Sequence, residues 1–418
     1  MKEKKFKGWF ITIIGAFFFF YTFFQVNMMS SLNSSFVQTY NIGPSAIALL
    51  SSYFFYANMI FVIPAGLILD RYPVRIIIIS SMVISVIGVL TLTFAPNICW
   101  ASIARFISGF TMAFAFISCF KLASLVLPSK HWAFASSLII TIGMLGGICS
   151  HLPMKILIVY LGCRWALFIV ALLGVLITFF MWLFIHPIEE KNNETKKPVF
   201  KSLVVILKQA QNWFCGFFTC LLNLPVAVLG ALFGMSYIEQ VYRVSKIQAG
   251  SVTSFIFLGM IIGSLFFGWL SDFLKNRRIP MAFGGVLCLC SVIVLFYNFS
   301  LSLMLLHLLF FLIGFTSASQ VLSFPMIAES NKPEFIASAL SLAVIIIVGV
   351  GYGLSLPVVG YLLENGWQGQ ILDGVRFYSL EVYRSAFLII PIGIFISLFL
   401  ILFMKETYLD KNRKTSSK

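Results

Sequence analysis

Twelve mostly apolar stretches, most of them at or above the roughly 20 residues a helix needs to cross a bilayer, crowd into 418 residues. They fall near 9–29, 46–69, 74–95, 99–127, 133–160, 165–186, 207–235, 250–272, 280–298, 301–327, 334–363 and 384–404. Hydrophobic residues make up 60% of the chain and charged residues only 10%, against roughly a quarter charged in a soluble domain. Water is not the main solvent, and the runs predict an all-α membrane protein with twelve transmembrane helices.

The chain also repeats itself. Gly66-Leu-Ile-Leu-Asp70-Arg71-Tyr-Pro-Val-Arg75 returns 202 residues later as Gly268-Trp-Leu-Ser-Asp272-Phe-Leu-Lys-Asn-Arg277. The same offset carries Lys130 onto Lys332, Ala135 onto Ala337, Ser136 onto Ser338, Leu138 onto Leu340 and Gly147 onto Gly349. A duplicated membrane unit with charged hinges predicts two pseudo-symmetric six-helix bundles, as in transporters built from repeats. The long polar interruption between His186 and Lys208 sets the expected division: a first bundle over 1–186, a linker over 187–206 and a second bundle over 207–418.

Net charge is +15, and its placement argues for topology rather than for a nucleic-acid site. With both ends cytoplasmic, 21 of the 29 basic residues fall on the cytoplasmic side, in keeping with the excess of Lys and Arg in cytoplasmic loops. Five fall outside, namely Arg164, Arg243, Lys246, Arg376 and Arg384, and Arg105, Lys121 and Lys155 lie within apolar stretches. The basic start Met1–Lys7 leads into a long run without a clear cleavage site, so it reads as the retained first helix. The eight cysteines sit almost entirely in apolar segments with no metal-binding spacing, and behave as small hydrophobes.

Six plus six helices, a central polar linker, and a G-x-x-x-D-R-x-x-x-R loop with a weaker second copy resemble the major facilitator superfamily. The first loop departs from the usual pattern at Pro73 and Val74. The resemblance implies alternating access, with Asp70, Arg71 and Arg75 latching the halves in the outward-facing state and Asp272 and Arg277 as partial counterparts. The bland reading makes Arg71 and Arg75 positive-inside anchors.

Arg105-Phe-Ile-Ser-Gly109 resembles the family's R-x-x-x-G element, associated with proton coupling and substrate carboxylates. Arg105 lies seven residues beyond Ile98, about 10 Å along a helix. A guanidinium at that depth is costly unless it faces the bundle interior or a wet cavity; snorkelling to the outer interface is the alternative. The 202 offset sets His307 opposite Arg105 and Asn223 opposite Tyr21. By resemblance, helices 1, 4, 7 and 10 line the cavity, which makes His307 a second proton-coupling candidate. Tyr21 and Gln25, four apart, share a helix face. With Asn27, Asn223 and Gln320 they are polar groups in need of partners, which a bound solute or a packed neighbour would supply.

Absences narrow the function. The helix-5 G-P-x-x-G-G motif of drug–proton antiporters is missing; the region reads Gly143-Met-Leu-Gly146-Gly147-Ile-Cys-Ser-His151-Leu-Pro153. Met112 and Phe24-Gln25 stand where organic-anion symporters usually carry an acid and an Asp-Arg pair. No H-E-x-x-H, G-x-S-x-G, G-x-G-D or G-x-x-x-x-G-K-[ST] motif occurs, so neither an intramembrane enzyme nor direct ATP use is indicated. Gln25-Val-Asn27-Met, Ser52-Tyr-Phe-Phe-Tyr-Ala57-Asn58, Pro64-Ala-Gly66, Phe120-Lys-Leu-Ala-Ser124 and Ile327-Ala-Glu329-Ser-Asn331 look like the bacterial phagosomal nutrient importers. A group similar to lysosomal dipeptide transporters is the related possibility.

The expectation is a monomeric transporter of the bacterial inner membrane with no cofactor, drawing on a proton gradient. Its small-molecule substrate is an amino acid or short peptide, held by Arg105, Tyr21, Gln25, Asn223 and Gln320. Nucleoside or organic-anion symport and facilitated diffusion remain the alternatives.

Overall fold

A computed structural model of the protein describes residues 2–127, 132–186, 206–297, 301–331, 336–372 and 375–408. Eleven helices are long and apolar enough to cross a membrane, and a bent pair makes a twelfth crossing. Spans 1 to 6 are Gly8–Tyr40, Pro44–Gly66, Val74–Thr93, Ile98–Val126, Leu138–Leu161 and Cys163–Phe184. Span 7 is the pair Ala210–Leu222 and Val226–Tyr242, bent by 46°. Spans 8 to 12 are Lys246–Leu274, Arg278–Tyr297, Leu303–Ser330, Ala339–Asn365 and Leu380–Phe403. The only strands among the described residues form a small antiparallel hairpin, Ile371–Leu372 with Val375–Arg376.

Successive spans alternate in direction, so their connections fall on two faces. The terminal face carries both chain ends and the 2–3 and 8–9 loops; the far face carries the 1–2, 5–6, 7–8 and 11–12 connections. Spans 1–6 form the first half in chain order and spans 7–12 the second. The linker expected over 187–206 lies outside the described residues except for Ile206.

Local sequence explains where several helices begin. The side chains of Asn97, Ser302 and Ser379 accept backbone N–H groups at the starts of spans 4, 10 and 12. Ser245 and Gln248 form a reciprocal capping box at span 8. Along span 6, Leu172, Leu176, Phe179 and Leu183 form an exposed stripe at helical spacing. Trp165 and Trp182 stand exposed towards its two ends, as amphipathic rings do at the two lipid–water interfaces.

Span 1 runs eleven residues past its expected end at 29, to Tyr40. Its extension is rich in Ser and Asn and lacks the apolar signal that marks a span. It stays helical because the polar groups have tertiary partners: Ser31 donates to the Ser150 carbonyl at 2.7 Å, and Asn33 to Ser236 Oγ at 3.2 Å.

Spans 5, 7, 10 and 11 are irregular at mid-depth, whereas spans 2, 3, 4, 6, 8 and 9 run unbroken. Span 5 stops at Cys149 and restarts at Leu152, where Pro153 has no N–H to give and crowds the carbonyl four residues back. Span 7 turns at Asn223 before Pro225 and then widens into a π-helix, Val226–Phe233. Span 10 tightens into a 3₁₀ turn at Ala318–Leu322, just before Pro325, and span 11 widens into a π-helix over Ile347–Leu354.

The repeat is visible in the packing of span 2 on span 4 and of span 8 on span 10. A Cβ added to Gly109 would lie 2.0 Å from the Phe54 carbonyl oxygen, and one added to Gly314 would lie 1.9 Å from that of Ile256. Phe54 and Ile256 are 202 residues apart, but Gly109 and Gly314 are 205 apart. Three extra residues have entered ahead of span 10, so the counterpart of Arg105 is the fully buried Phe310 rather than His307.

Candidate functional site

Arg105 is fully buried in the first half, with no carboxylate among its described contacts. Its Nη1 donates to the Gln25 carbonyl at 2.7 Å, and the guanidinium lies 4.6 Å from the centre of the Phe54 ring. Nε and Nη2 have no hydrogen-bond partner, and neither does Gln25 Oε1. Unpaired buried donors cost about 1–3 kcal/mol each, more when charged, while a ring face returns about 0.5–2 kcal/mol. Arg105 is therefore a site with unspent capacity for an anion. Snorkelling is excluded, because the side chain has no exposed surface.

Gln25 donates through Nε2 to Ser85 Oγ on span 3 at 2.7 Å. Tyr21 shares that face of span 1, as its spacing predicts, but its hydroxyl donates to the Val170 carbonyl of span 6 at 3.2 Å. Tyr21 thus packs span 6 against span 1, and a Cβ added to Gly174 would lie 2.5 Å from its hydroxyl. Lys121 donates to the Leu69 carbonyl, which ties span 4 to span 2.

The second half brings together two of the candidate residues. Gln320 Nε2 donates to Asn223 Oδ1 at 2.9 Å, and Asn223 Nδ2 donates to the Tyr352 hydroxyl at 3.1 Å. The turn in span 7 and the 3₁₀ segment of span 10 aim these amides at each other. Tyr352, which the sequence reading did not single out, stacks on Phe55 of span 2 at 4.5 Å. The expected single constellation is thus two clusters, one charged and one neutral. Among the described residues no hydrogen bond joins them.

His307 sits towards the far end of span 10, within the second half. Its Nδ1 lies 2.7 Å from the Leu303 carbonyl and its Nε2 2.9 Å from Ser251 Oγ, and Phe255 packs edge-on against the ring. A neutral imidazole satisfies both contacts, because a hydroxyl can donate or accept.

The halves meet through their far portions. A Cβ on Gly360 would lie 2.6 Å from the Pro44 carbonyl oxygen, so span 11 reaches the backbone of span 2. Tyr56 donates to the Gly353 carbonyl at 2.8 Å, and the Leu152 N–H to Ser254 Oγ at 3.2 Å. His151, which the sequence reading passed over inside span 5, lies with Nε2 2.7 Å from the Gly230 carbonyl of span 7. These hydrogen bonds between the halves, with that of Asn33 to Ser236, all lie in the far portions. At the terminal ends of spans 2 and 8, positions Gly66 and Gly268 face no atom within 4 Å. Among the described residues, the halves are thus in contact towards the far face.

Among the described residues, the loop charges of Arg75 and Arg277 find their partners within their own halves. Arg277 pairs with Asp272 at 2.9 Å and with Glu329 of span 10 at 3.0 Å. Glu406, after span 12, accepts the backbone N–H groups of Arg277 and Arg278, each at 3.1 Å. Partial burial works against the Arg277 charge, but Glu329 and Asp272 outweigh it and hold its pKa above the usual value. Burial likewise opposes the Glu406 carboxylate, yet four backbone N–H groups hold its pKa below the usual range. In the first half, Arg75 donates to the Trp182 carbonyl at 3.2 Å. The side chains of Asp70 and Arg71 lie outside the described residues.

Spans of this number and a repeated loop between spans 2 and 3 and spans 8 and 9 are shared with a known family. The family profile described as Major Facilitator Superfamily matches residues 13–347 and, in a second match, 213–418. The chain belongs to the major facilitator superfamily. It is a multi-pass membrane transporter that works by alternating access, not an enzyme. No curated protein matches it by sequence. A bacterial homologue of the human lysosomal transporter Spinster, crystallised in an inward-facing and occupied conformation, is 15% identical with a TM-score of 0.76. The match covers 94% of this chain and 96% of that one. A mutant of the nucleoside transporter NupG is 14% identical with a TM-score of 0.74, over 96% of this chain and 99% of that one. At these identities the likeness establishes the fold alone.

Proposed function

We propose that this transporter imports a small solute bearing a carboxylate, an amino acid or short peptide, across a bacterial inner membrane, with both termini cytoplasmic and a proton gradient as the driving force. On that topology the terminal face, which carries most of the basic residues, is cytoplasmic. The contacts between the halves then lie towards the outer side.

The observation that carries the reading is Arg105: a fully buried guanidinium with two nitrogens unpaired and no acid among its described contacts. A substrate carboxylate accepts in a forked, charge-assisted geometry that no neutral group reproduces. Gln25 Oε1, on the residue whose carbonyl holds Arg105, has no partner and is free to meet an ammonium or amide on the same solute.

A second reading, a nucleoside, rests on the neutral cluster. Asn223 and Gln320 offer amide edges beside Tyr352, which already stacks on Phe55, and a flat heterocycle with donors and acceptors suits such a surface. A thermal-shift screen of purified protein against amino acids, dipeptides and nucleosides, repeated with Arg105→Ala and Asn223→Ala, separates the two. Carboxylate ligands that stabilise wild type and Arg105→Ala equally refute the first reading. Nucleosides that stabilise wild type and lose their effect in Asn223→Ala establish the second.

A further inference from the structure

Two defects in the helices meet at one side chain. At the break in span 5, the His151 N–H bonds back to the Ile148 carbonyl, which deprives the Gly147 carbonyl of its usual helical donor. That oxygen instead lies 2.9 Å from His151 Nδ1 and accepts the Ser150 hydroxyl at 2.6 Å. In span 7, the π-helical widening sends the Gly234 N–H to the Leu229 carbonyl, so the Gly230 carbonyl loses the donor an α-helix would give it. It lies 2.7 Å from His151 Nε2. A fully buried imidazole therefore links the halves with a carbonyl oxygen facing each ring nitrogen.

Two acceptors require two N–H donors, and only the imidazolium has both. A neutral ring with its proton on Nδ1 turns a lone pair towards Gly230 and breaks the bond between halves. With its proton on Nε2, it keeps that bond only if Ser150 Oγ, 3.1 Å from Nδ1, turns away from Gly147 to donate to the ring. His307 faces no such conflict.

We propose that His151 is a proton-binding site of the transport cycle: its protonated ring ties span 5 to span 7 and holds the far gate shut, so that closing the gate takes up a proton and opening it releases one. The proposal rests on the reading that transport is proton-coupled and names where one coupled proton sits. The surroundings supply no carboxylate partner among the described contacts. Span 1 presents Ser31, which donates to the Ser150 and His151 carbonyls; span 8 presents Phe257, its ring centre 5.1 Å from the imidazole, and Ser254. The nearest charged group along span 5 is Lys155, which donates to the Ser31 carbonyl and to Ser34 Oγ. Glu239 of span 7 and Lys246 of span 8 act on Lys155 electrostatically. Lys155, the charged group nearest along span 5, is the rival that the test separates.

The experiment places spin labels at Tyr160→Cys and Ile371→Cys, both exposed on the far face. Cys99, Cys149, Cys163 and Cys290, the cysteines with exposed surface, are replaced by alanine, and the protein is reconstituted in liposomes. The distance between labels is measured from pH 5 to pH 9. A single proton changes the closed-to-open ratio by up to about tenfold per pH unit, so the short-distance population should fall as pH rises. His151→Gln should abolish that dependence, Lys155→Gln should keep it, and Ser150→Ala should move its midpoint upward, because the neutral ring loses its donor. Should His151→Gln fail to fold, the Ser150→Ala midpoint decides: an unchanged midpoint rejects the proposal. A wild type indifferent to pH overturns it too. A dependence that survives in His151→Gln or vanishes in Lys155→Gln moves the proton elsewhere and leaves proton coupling itself standing.

Discussion

The two halves descend from one pattern but handle polarity in opposite ways. The first half buries a cation and leaves it short of partners: Arg105 has one hydrogen bond, one ring face and two unpaired nitrogens. The second half places Phe310 at the equivalent position and gathers neutral amides that satisfy each other, Gln320 to Asn223 to Tyr352. The loops reverse the order. The second copy is the weaker match in sequence, yet Arg277 holds two carboxylates there while its backbone caps a third. Arg75 in the fuller copy has one described bond, to a carbonyl. Partner-poor groups have room to act on something else, whereas mutually satisfied groups hold the protein together.

The largest effect that comparison predicts is at Arg105. Arg105→Ala should weaken carboxylate ligands by about 10- to 150-fold, one charge-assisted hydrogen bond being worth about 1.5–3 kcal/mol. The ligand-free melting temperature should hold or rise, because an under-paired buried charge is removed. A sharply lower melting temperature without ligand would make Arg105 a structural residue and break the contrast.

Asn223→Ala should do the reverse. It strands Gln320 and Tyr352, at about 1–3 kcal/mol for each unsatisfied buried group, and should lower ligand-free stability in denaturation by heat. Stability equal to wild type would show that the neutral cluster is as loosely held as the charged one.

The loops give a smaller, paired test. Arg277→Ala removes an ion pair that is mostly shielded, with Arg277 12% and Glu329 14% exposed at their side chains, and should cost more stability than Arg75→Ala. For the exposed Arg75 bond, surface changes are usually within about 0.5 kcal/mol. Equal losses would mean that the second copy is no better built than the first.

The smallest effect is in pH. The Glu406 pKa is depressed in the folded protein, so its contribution is complete above the ordinary carboxylate value of about 4.3 and is lost as pH falls through the lower folded value. Glu406→Gln should be less stable than wild type at pH 7, and the gap should close on acidification below about pH 4. Arg277, held above its usual value, keeps its contribution below the usual arginine value and loses it only in strong alkali. A gap between wild type and Glu406→Gln that persists at pH 3 would remove Glu406 from the cluster.

The spans were legible to within a few residues where hydrophobicity was the whole signal, as in Val74–Thr93 and Cys163–Phe184. Residues 30–40 were not, because a helix whose polar groups find partners on spans 5 and 7 carries no apolar signature. Arg105 was legible, since a guanidinium inside an apolar run is conspicuous. The pairing of Gln320 with Asn223 was visible only as two isolated amides. His307 was misplaced by the three residues inserted ahead of span 10, and His151 gave one clue, a lone imidazole two residues before a proline within an apolar run.

Composition and repetition alone determined that this chain crosses a membrane about twelve times in duplicated form, because the cost of burying polar backbone in lipid leaves helices as the way to satisfy it. Which polar groups face a partner, which are left over and where the halves meet were decided in three dimensions. A hydrogen bond depends on angles and tenths of an ångström set by helices that break at Pro153, bend at Asn223 and widen beyond it.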